Sequence, residues 1–225
     1  MLRTACCFCV AIVAACVPVH ANQLVNPGFE TPPIPAGGPP EYFGATGWTD
    51  FGGGTYTVGS AVVTPNSGAQ SLKMFGGASG VYQQFAATPG QLWDGGAYVL
   101  NDAGDPMAGG QVAAVNIEWI LADGVNQVPG GAGVGFITNG DTISTTPQGQ
   151  WNLRPISGVA PAGTAFARFV LITGEFGGGG MTGGGGAPKY DDAFFDIRPG
   201  QVPEPASLAL VGMVAIGLVA ARRRR

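Results

Sequence analysis

Carboxylates are the side chains of this sequence whose chemistry suits general acid and base catalysis. Four of them lie away from the ends of the predicted strands: Glu41, Glu118, Asp123 and Glu175. A glycosidase uses two carboxylic groups, one on each side of the bond that it breaks. No spacing in the sequence marks two of these four as a pair. Glycosidase activity is therefore kept only as the weaker alternative.

Cysteine and histidine are confined to the start of the chain, because all four cysteines and the one histidine lie within the first 21 residues. An early positive charge at Arg3 is followed by an apolar run over Ala5–Val17. Small residues at Val19 and Ala21 complete the pattern of a secretory signal peptide that is cut after Ala21. Lipidation of Cys16 is an alternative for this segment.

Removal of such a signal peptide leaves a mature chain without Cys or His. Disulfides, thiolate nucleophiles and Ser-His-Asp catalysis are then excluded, as are zinc sites built on imidazole or thiolate. Between Asn22 and Gly200, five basic residues stand against 13 carboxylates, a net charge of −8. An acidic domain repels phosphate backbones, so nucleic acid is not expected as a partner.

The segments that would position the candidate carboxylates have the residue pattern of an all-β fold. Short runs rich in Val, Ile, Thr, Phe and Tyr alternate with clusters of Gly, Pro, Asn and Asp. No internal segment has a capped 3.6-residue period, so little helix is expected. The predicted strands are Leu24–Glu30, Thr46–Phe51, Thr55–Val58, Gln70–Phe75, Val81–Ala86, Leu92–Leu100, Val112–Leu121, Trp151–Val159, Ala165–Thr173 and Tyr190–Ile197.

Two strands show which side chains share a face. In Val112–Leu121, alternation places Asn116 and Glu118 on the face opposite to the apolar residues. In Ala165–Thr173 both faces are mostly apolar, which is typical of a strand covered on both sides. Thr31–Pro40 and the glycine-rich Phe176–Ala187 are predicted to be loops.

Several motifs occur in an order that resembles a known family. They are LVNPGFE (Leu24–Glu30), SGAQSLKMFG (Ser67–Gly76), VYQQFAATPGQLW (Val81–Trp93) and YDDAFFDI (Tyr190–Ile197). Together they resemble the galactose-binding-like jelly roll found in several carbohydrate-binding modules, over almost all of the segment from Asn22 to Arg198. The resemblance implies a jelly-roll β-sandwich.

The same resemblance implies a structural calcium site, because relatives hold the ion between acidic residues of the first and last strands. Carried over to this chain, these residues are Glu30 and Asp192, with Asp191 or Asp196 as further oxygen ligands. Calcium prefers hard oxygen ligands of this kind. The alternative is that Asp191 and Asp192 are solvated residues at a strand end.

The resemblance also implies sugar binding, in which aromatic rings stack on the sugar and polar groups surround it. Trp48, Trp93, Trp119 and Trp151 fall at positions that are core in relatives, and Tyr82 is a further aromatic candidate. The candidate sugar contacts are Tyr42, Tyr56, Asn116 and Glu118. The fold by itself does not establish this function.

The C-terminal segment VPEPASLALVGMVAIGLVAARRRR resembles a PEP-CTERM sorting signal. The matching residues are Pro203, Glu204, Pro205, the apolar run Ala206–Ala221, and Arg222, Arg223, Arg224 and Arg225. The four arginines indicate that the C-terminal end of this segment stays in the cytoplasm, so that the preceding domain faces outward. A helix of 16 residues is about 24 Å long, which is short for a hydrocarbon core of about 30 Å. The resemblance implies processing by an exosortase-type membrane peptidase, and a permanent anchor is the alternative.

The sequence therefore predicts a signal peptide over 1–21, a β-sandwich over 22–200 and a sorting signal over 201–225 with a short transmembrane helix over 206–221. The predicted protein is exported and non-catalytic, is held at the inner membrane during sorting, and ends at the cell surface or in the extracellular matrix. It is expected to bind polysaccharide there. The alternative is a structural or adhesive surface protein without sugar specificity.

Overall fold

The computed structural model describes residues 22–35, 41–176, 181–182 and 185–198. The predicted signal peptide with Cys16, the predicted helix Ala206–Ala221 and the sorting signal lie outside these residues. Within the described ranges, no helix is long and apolar enough to cross a membrane.

The described residues form ten β-strands and no helix. Two pairs of predicted strands are each one continuous strand, and three strands were not predicted, two of them very short. The strands are β1 Glu41–Phe43, β2 Thr49–Gly59, β3 Gln70–Ala86, β4 Leu92–Leu100, β5 Gln111–Ile120, β6 Phe136–Ile143, β7 Trp151–Val159, β8 Phe166–Phe176, β9 Met181–Thr182 and β10 Lys189–Arg198.

The strands pair antiparallel in the order β6-β5-β8-β3-β10-β4-β7, with β2 on the other edge of β3. The second half of β3 pairs with β8, whereas Leu72 and Lys73 in its first half pair with β10. The long β3 therefore belongs to both layers of a β-sandwich. The first layer contains β6, β5, β8 and the second half of β3, and the second layer contains β7, β4, β10 and the first half of β3.

The β2–β3 ribbon crosses from one layer to the other at a cluster of glycines. The pairing register shifts between Gly52 and Gly54 of β2. Gly52 has a φ of 78°, a conformation that side chains with a Cβ rarely adopt. Such bulges bend a strand without ending it. For this reason two predicted strands in each of β2 and β3 are one strand in the structure.

Aromatic rings fill the centre of the sandwich. Trp93 stacks on Phe195 with ring centroids 4.7 Å apart, and Phe169 lies 5.0 Å from Phe195. A Cβ on Gly95 would lie 2.8 Å from the Phe195 ring and 2.9 Å from the Phe169 ring. The glycine therefore leaves the room that this aromatic cluster needs.

Alternation along β5 is as predicted. Val115, Ile117 and Trp119 are buried in the central core. Asn116 and Glu118 point to the opposite side, which is the outer face of the first layer. Trp48 and Trp93 are also core residues. Trp151 is only half-buried, and its indole N–H donates to the Thr64 carbonyl at 3.0 Å.

The predicted strand Leu24–Glu30 is not a strand. Asn26 and Phe29 have φ values of 52° and 58°, which are incompatible with an extended chain. Turns over this segment place Phe29 in the core, where its ring lies 5.2 Å from Trp48. The turn residues Asn26-Pro27-Gly28 outweigh the apolar content of the segment.

The strands β1, β6 and β9 were missed for related reasons. Strand β6 contains Asn139-Gly140-Asp141, which is a typical turn sequence. The structure keeps the pairing with β5 by a register shift opposite these residues. Strands β1 and β9 are three and two residues long. Strand β1 directly follows the predicted loop Thr31–Pro40, and β9 lies within the predicted loop Phe176–Ala187.

A buried ion pair closes one end of the second layer. The Lys189 ammonium donates to Asp102 Oδ2 and to the Ala187 carbonyl, both at 2.7 Å. Lys189 is completely buried and Asp102 is 9% exposed. Asp102 Oδ1 also accepts from the main chain of Gly104 at 3.0 Å. Asp102–Pro106 (DAGDP) therefore contains a turn, and the Lys189 ammonium neutralises its first carboxylate.

The first described residues are attached to the last strand. Asn22 donates from its side-chain amide to the Ala193 carbonyl at 2.8 Å and accepts from the Phe195 N–H at 3.0 Å. The Gln23 N–H donates to the Phe195 carbonyl at 3.0 Å. The two ends of the described domain are thus hydrogen-bonded side by side.

Candidate functional site

A pocket of about 320 Å³ lies on the outer face of the first layer. Direct cross-strand pairs of the sheet position most of its side chains. Glu118 of β5 is opposite Arg168 of β8, and Tyr82 of β3 is opposite Val170. We call this site the Arg168 pocket, and its lining residues are Phe51, Tyr82, Glu118, Gln127, Arg168 and Val170.

Arg168 is fixed by contacts on all sides of its guanidinium. It donates to Glu118 Oε2 at 3.3 Å, to Gln84 Oε1 at 2.9 Å and to the Gly124 carbonyl at 3.2 Å. Its guanidinium carbon lies 4.6 Å from the centroid of the Tyr82 ring. A cation in this position orients the ring and holds it in place.

Glu118 is a partly desolvated carboxylate. Burial raises the pKa of Glu118 above its ordinary value, and attraction to Arg168 and a hydrogen bond from Gln127 oppose that rise. Glu118 and Arg168 side chains are each 17% exposed. The pair presents hydrogen-bond acceptors and donors to the pocket without a net charge.

Asn116 lies two residues before Glu118 on the same face of β5 but is not among the residues that line the pocket. It is opposite Val170 and is 8% exposed. Its amide oxygen accepts no hydrogen bond from any residue that the structure describes. A buried oxygen without a donor costs stability, so such atoms usually serve a ligand or a bound water. Ala114, Val170 and Ile172 form an apolar floor beside it.

The arrangement suits binding better than catalysis. Aromatic rings, an apolar floor and a few fixed polar groups are the usual composition of a small-molecule site. Glu118 is the one carboxylate among the lining residues. Of the other candidate acids, Glu41 pairs with Lys73 at 2.7 Å and Asp123 accepts main-chain N–H bonds in an exposed turn. Glu175 accepts from the Gly110 N–H at 3.1 Å.

The structure brings together two of the four residues predicted to contact sugar. Asn116 and Glu118 lie on one face of β5, as expected. Tyr56 lies elsewhere, stacked on Phe75 at 5.0 Å, and Tyr42 is an exposed residue of β1. Neither tyrosine lines the pocket, so their contact with sugar stays a prediction without support from this geometry.

Four of the six lining residues were not predicted from the sequence: Phe51, Gln127, Arg168 and Val170. The one available signal was Arg168, a single charge within the apolar run of β8. A charge on a covered strand face needs a partner. That partner, Glu118, is 50 residues away in the sequence. The pairing becomes visible only once the register of β5 and β8 is known.

The three residues predicted to bind calcium meet around Gly28. A Cβ on Gly28 would lie 3.7 Å from Asp192 Oδ1 and 3.9 Å from Asp191 Oδ1. Its distance to the Glu30 side chain would be 3.8 Å. Asp192 has a φ of 45° and follows Asp191 at a bulge in β10. The turn at Gly28 and this bulge therefore bring Glu30, near the start of the domain, close to Asp191 and Asp192 near its end.

The same carboxylates already have hydrogen-bond partners. Glu30 Oε1 accepts from the N–H groups of Ala69 and Gln70 at 2.8 and 3.1 Å. Asp191 Oδ2 accepts from the N–H groups of Asn66 and Ser67 at 2.8 and 3.2 Å. Among the described residues, no three acidic side chains form a cluster ready to hold a metal ion. The donor chemistry suits calcium, whereas the spacing does not form a ligand shell.

The free energy of unfolding is expected to depend on pH through the Asp191 carboxyl. Burial, together with the neighbouring charge of Asp192, raises the pKa of Asp191 from 3.8 to about 7. The folded protein therefore holds a proton that the unfolded chain releases, and the free energy of unfolding falls as the pH rises from about 4 to about 7. One proton gives a slope of at most about 1.4 kcal/mol per pH unit.

Urea unfolding over this pH range, in the presence of a chelator, measures that slope. Other carboxylates titrate in the same range, so the matched control is Asp191→Asn. The variant is expected to gain stability relative to the wild type as the pH rises. A constant difference between the two proteins from pH 4 to pH 8 would show that Asp191 ionises normally.

Comparison with known proteins identifies the C-terminal segment. Residues 201–225 match the family model of the PEP-CTERM protein-sorting motif. The chain carries a PEP-CTERM sorting signal. The prediction for this segment is confirmed, and the motif implies export and exosortase-mediated sorting to the cell surface. No curated protein matches the chain in sequence.

Solved structures resemble the described domain in fold. The enzymatically active domain of bacteriophage CBA120 tailspike protein 4 has 15% identity and a TM-score of 0.50, covering 79% of this chain and 21% of the tailspike chain. The arabinose-bound MgGH51 α-L-arabinofuranosidase has 12% identity and a TM-score of 0.50, over 79% and 26% of the two chains. This chain thus spans about a fifth to a quarter of those proteins.

A third similar structure is TmCBM61 in complex with β-1,4-galactotriose. It has 16% identity and a TM-score of 0.48, over 79% of this chain and 99% of that one. At such identities the likeness concerns the fold alone. The predicted jelly-roll β-sandwich is confirmed.

Proposed function

We propose that this protein binds a neutral polysaccharide at the cell surface or in the extracellular matrix, through the Arg168 pocket and without catalysis. The observation that carries the proposal is the Tyr82 ring, which Arg168 fixes in a pocket with an apolar floor. Sugars have an apolar ring face for stacking and hydroxyl groups that both donate and accept.

The charge of the site and of the domain favours a neutral ligand. Glu118 compensates Arg168 within the pocket. The segment from Asn22 to Gly200 has a net charge of −8 and repels acidic polysaccharides. The absence of a second carboxylate from the lining residues supports a non-catalytic role, because glycoside hydrolysis requires two.

Tyr82→Ala tests the pocket directly. We expect the wild-type protein to bind at least one neutral glycan on an array that includes β-1,4-galactotriose and xylohexaose. Loss of one stacking ring should weaken binding by about tenfold. Tyr42→Ala is the matched control, since it removes an exposed tyrosine outside the pocket and should leave the affinity unchanged.

Two results would contradict the proposal. If the wild type binds no glycan, the domain is a structural or adhesive body without sugar specificity. If Tyr42→Ala weakens binding and Tyr82→Ala does not, sugar is bound at β1 and not in the Arg168 pocket. Release of reducing sugar from any bound glycan would replace the non-catalytic role with glycosidase activity.

We also propose a structural calcium ion held by Glu30, Asp191 and Asp192. The support is the convergence of three acidic side chains around Gly28, and binding requires their carboxylates to exchange some of their hydrogen bonds for the ion. Calcium in excess should raise the melting temperature relative to chelator, because it binds only the folded state. Glu30→Gln should remove that difference. Equal melting temperatures for the wild type with and without calcium would exclude the site.

The finer steps of sorting belong to the same proposal. The partner is an exosortase-type membrane peptidase, and the protein is held at the inner membrane until its C-terminal segment is removed. The intact mass of the protein recovered from the cell surface distinguishes removal of the segment after about residue 205 from a permanent anchor.

A further inference from the structure

The outer face of the second layer repeats the chemistry of the Arg168 pocket. Phe194 and Arg198 of β10 lie beside Asp94 of β4, and they point away from the core because Trp93 and Phe195 point into it. An aromatic ring, an arginine and a carboxylate therefore occur together on both outer faces of the sandwich. No part of the proposed function uses this second set.

The Phe194 ring lies over Gly96. Gly96 is its direct partner in β4, and a Cβ on Gly96 would come within 2.7 Å of the ring. The missing side chain makes room for the ring over the strand, and the ring lines open volume on the outer face. On the far side of Gly96, Pro155 of β7 continues the apolar surface.

Polar groups are fixed next to this ring. Arg198 makes a two-point contact with Asp94, in which the distance from its Nη2 to Oδ1 is 2.6 Å. Bidentate pairs of this kind hold both side chains in a defined geometry. Asp94 is opposite Ser157, whose hydroxyl adds a donor and an acceptor on the same face.

Two cavities of about 450 and 320 Å³ share Asp94, Phe194 and Arg198 in their linings. Open volume thus extends along the ring on more than one side, which suits an elongated ligand. The arginine charge is compensated by Asp94, and Asp196, which lines the smaller cavity opposite Asp94, disfavours an anionic ligand together with the acidic domain. A neutral chain rich in hydroxyl groups meets each of these conditions.

We propose that the outer face of the second layer is a second carbohydrate site, with Phe194 as its stacking ring. The ligand class rests on the proposed function, whereas the location does not. Because the two sites are on opposite outer faces, one molecule binds two glycan chains and cross-links them. The protein then acts as a non-covalent link within a polysaccharide layer.

The test uses the full-length chain in mild detergent with two neutral probes, β-1,4-galactan and xylan, and with their short oligosaccharides. Calorimetry counts the oligosaccharides bound per chain, and light scattering follows cross-linking of the polymers. We expect two sites and strong scattering for the wild type. Phe194→Ala and Tyr82→Ala should each leave one site at the wild-type affinity, weaken the site on their own face by about tenfold, and lower the scattering at the same protein concentration.

Two further variants separate stacking from folding. Phe194→Leu keeps an apolar side chain over Gly96 but removes the flat ring, so it should behave as Phe194→Ala with an unchanged melting temperature. Leu153→Ala removes an exposed apolar side chain of the same layer and should retain both sites.

Each remaining outcome is decisive. If Phe194→Ala keeps the wild-type stoichiometry and scattering while Tyr82→Ala loses binding, the second site is wrong and the proposed function stands. If only the Phe194 variants lose binding, the Arg168 pocket is wrong as a sugar site. If the wild type binds neither probe nor any glycan on the array, both proposals fail.

Discussion

Lys189→Met is expected to lower the free energy of unfolding by about 3–5 kcal/mol, the usual cost of removing one partner from a buried ion pair. Asp102, a residue that is only 9% exposed in the wild type, then lacks the ammonium partner that lies 2.7 Å from its Oδ2. Methionine has a similar length, so packing changes little. Equilibrium urea unfolding, followed by tryptophan fluorescence, measures the loss.

Lys73→Met is the matched control for this prediction. Lys73 pairs with Glu41 at the same distance of 2.7 Å, but the two side chains are 16% and 33% exposed. A pair with such exposure contributes about 0–1 kcal/mol. Equal losses for the two variants would mean that burial does not set the cost. Lys189→Met combined with Asp102→Asn should recover stability, since it removes the unpaired charge.

Trp93→Ala is expected to cost about 3–5 kcal/mol, as other large-to-small substitutions of buried aromatic residues do. Trp93 is completely buried and stacks on Phe195 at 4.7 Å. Phe195 in turn contacts Phe169 and Phe85, so a cavity at Trp93 loosens the whole aromatic cluster. The same urea measurement applies, with the other three tryptophans as fluorescent probes.

Trp93→Phe separates packing from hydrogen bonding. The indole N–H of Trp93 has no acceptor among the residues that the structure describes. Phenylalanine therefore gives up no hydrogen bond and removes a buried donor, while a ring still stacks on Phe195. We expect a loss of no more than about 1.5 kcal/mol. A loss as large as that of Trp93→Ala would show that the indole donor has a partner.

The sequence predicted the class of fold because alternation in the strands reflects burial directly. In β5, for example, every second residue from Val115 to Trp119 is in the core. It did not predict the long β2 and β3, because the glycines that interrupt their apolar pattern bend these strands and do not end them. The strand predicted over Leu24–Glu30 was wrong because the turn residues Asn26-Pro27-Gly28 and the positive φ angles at Asn26 and Phe29 do not allow an extended chain.

The site was predictable only in part for a related reason. Asn116 and Glu118 share one strand, so their common face follows from spacing alone. Tyr82, Arg168 and Phe51 come from three other strands, and their meeting depends on the register of the sheet. The proximity of the acidic residues around Gly28 was predicted from the family resemblance. Periodicity within one strand cannot predict a pairing of residues so far apart in the sequence.

The hydrogen bonds of Asn22 and Gln23 to β10 have a consequence for the connectivity of the chain. The predicted signal peptide precedes Asn22 and the sorting motif begins three residues after Arg198, so the segments before and after the described domain are attached to it at neighbouring points. For the same reason, a short linker could join residue 198 to residue 22, and a circularly permuted chain opened at an exposed turn would keep every strand neighbour.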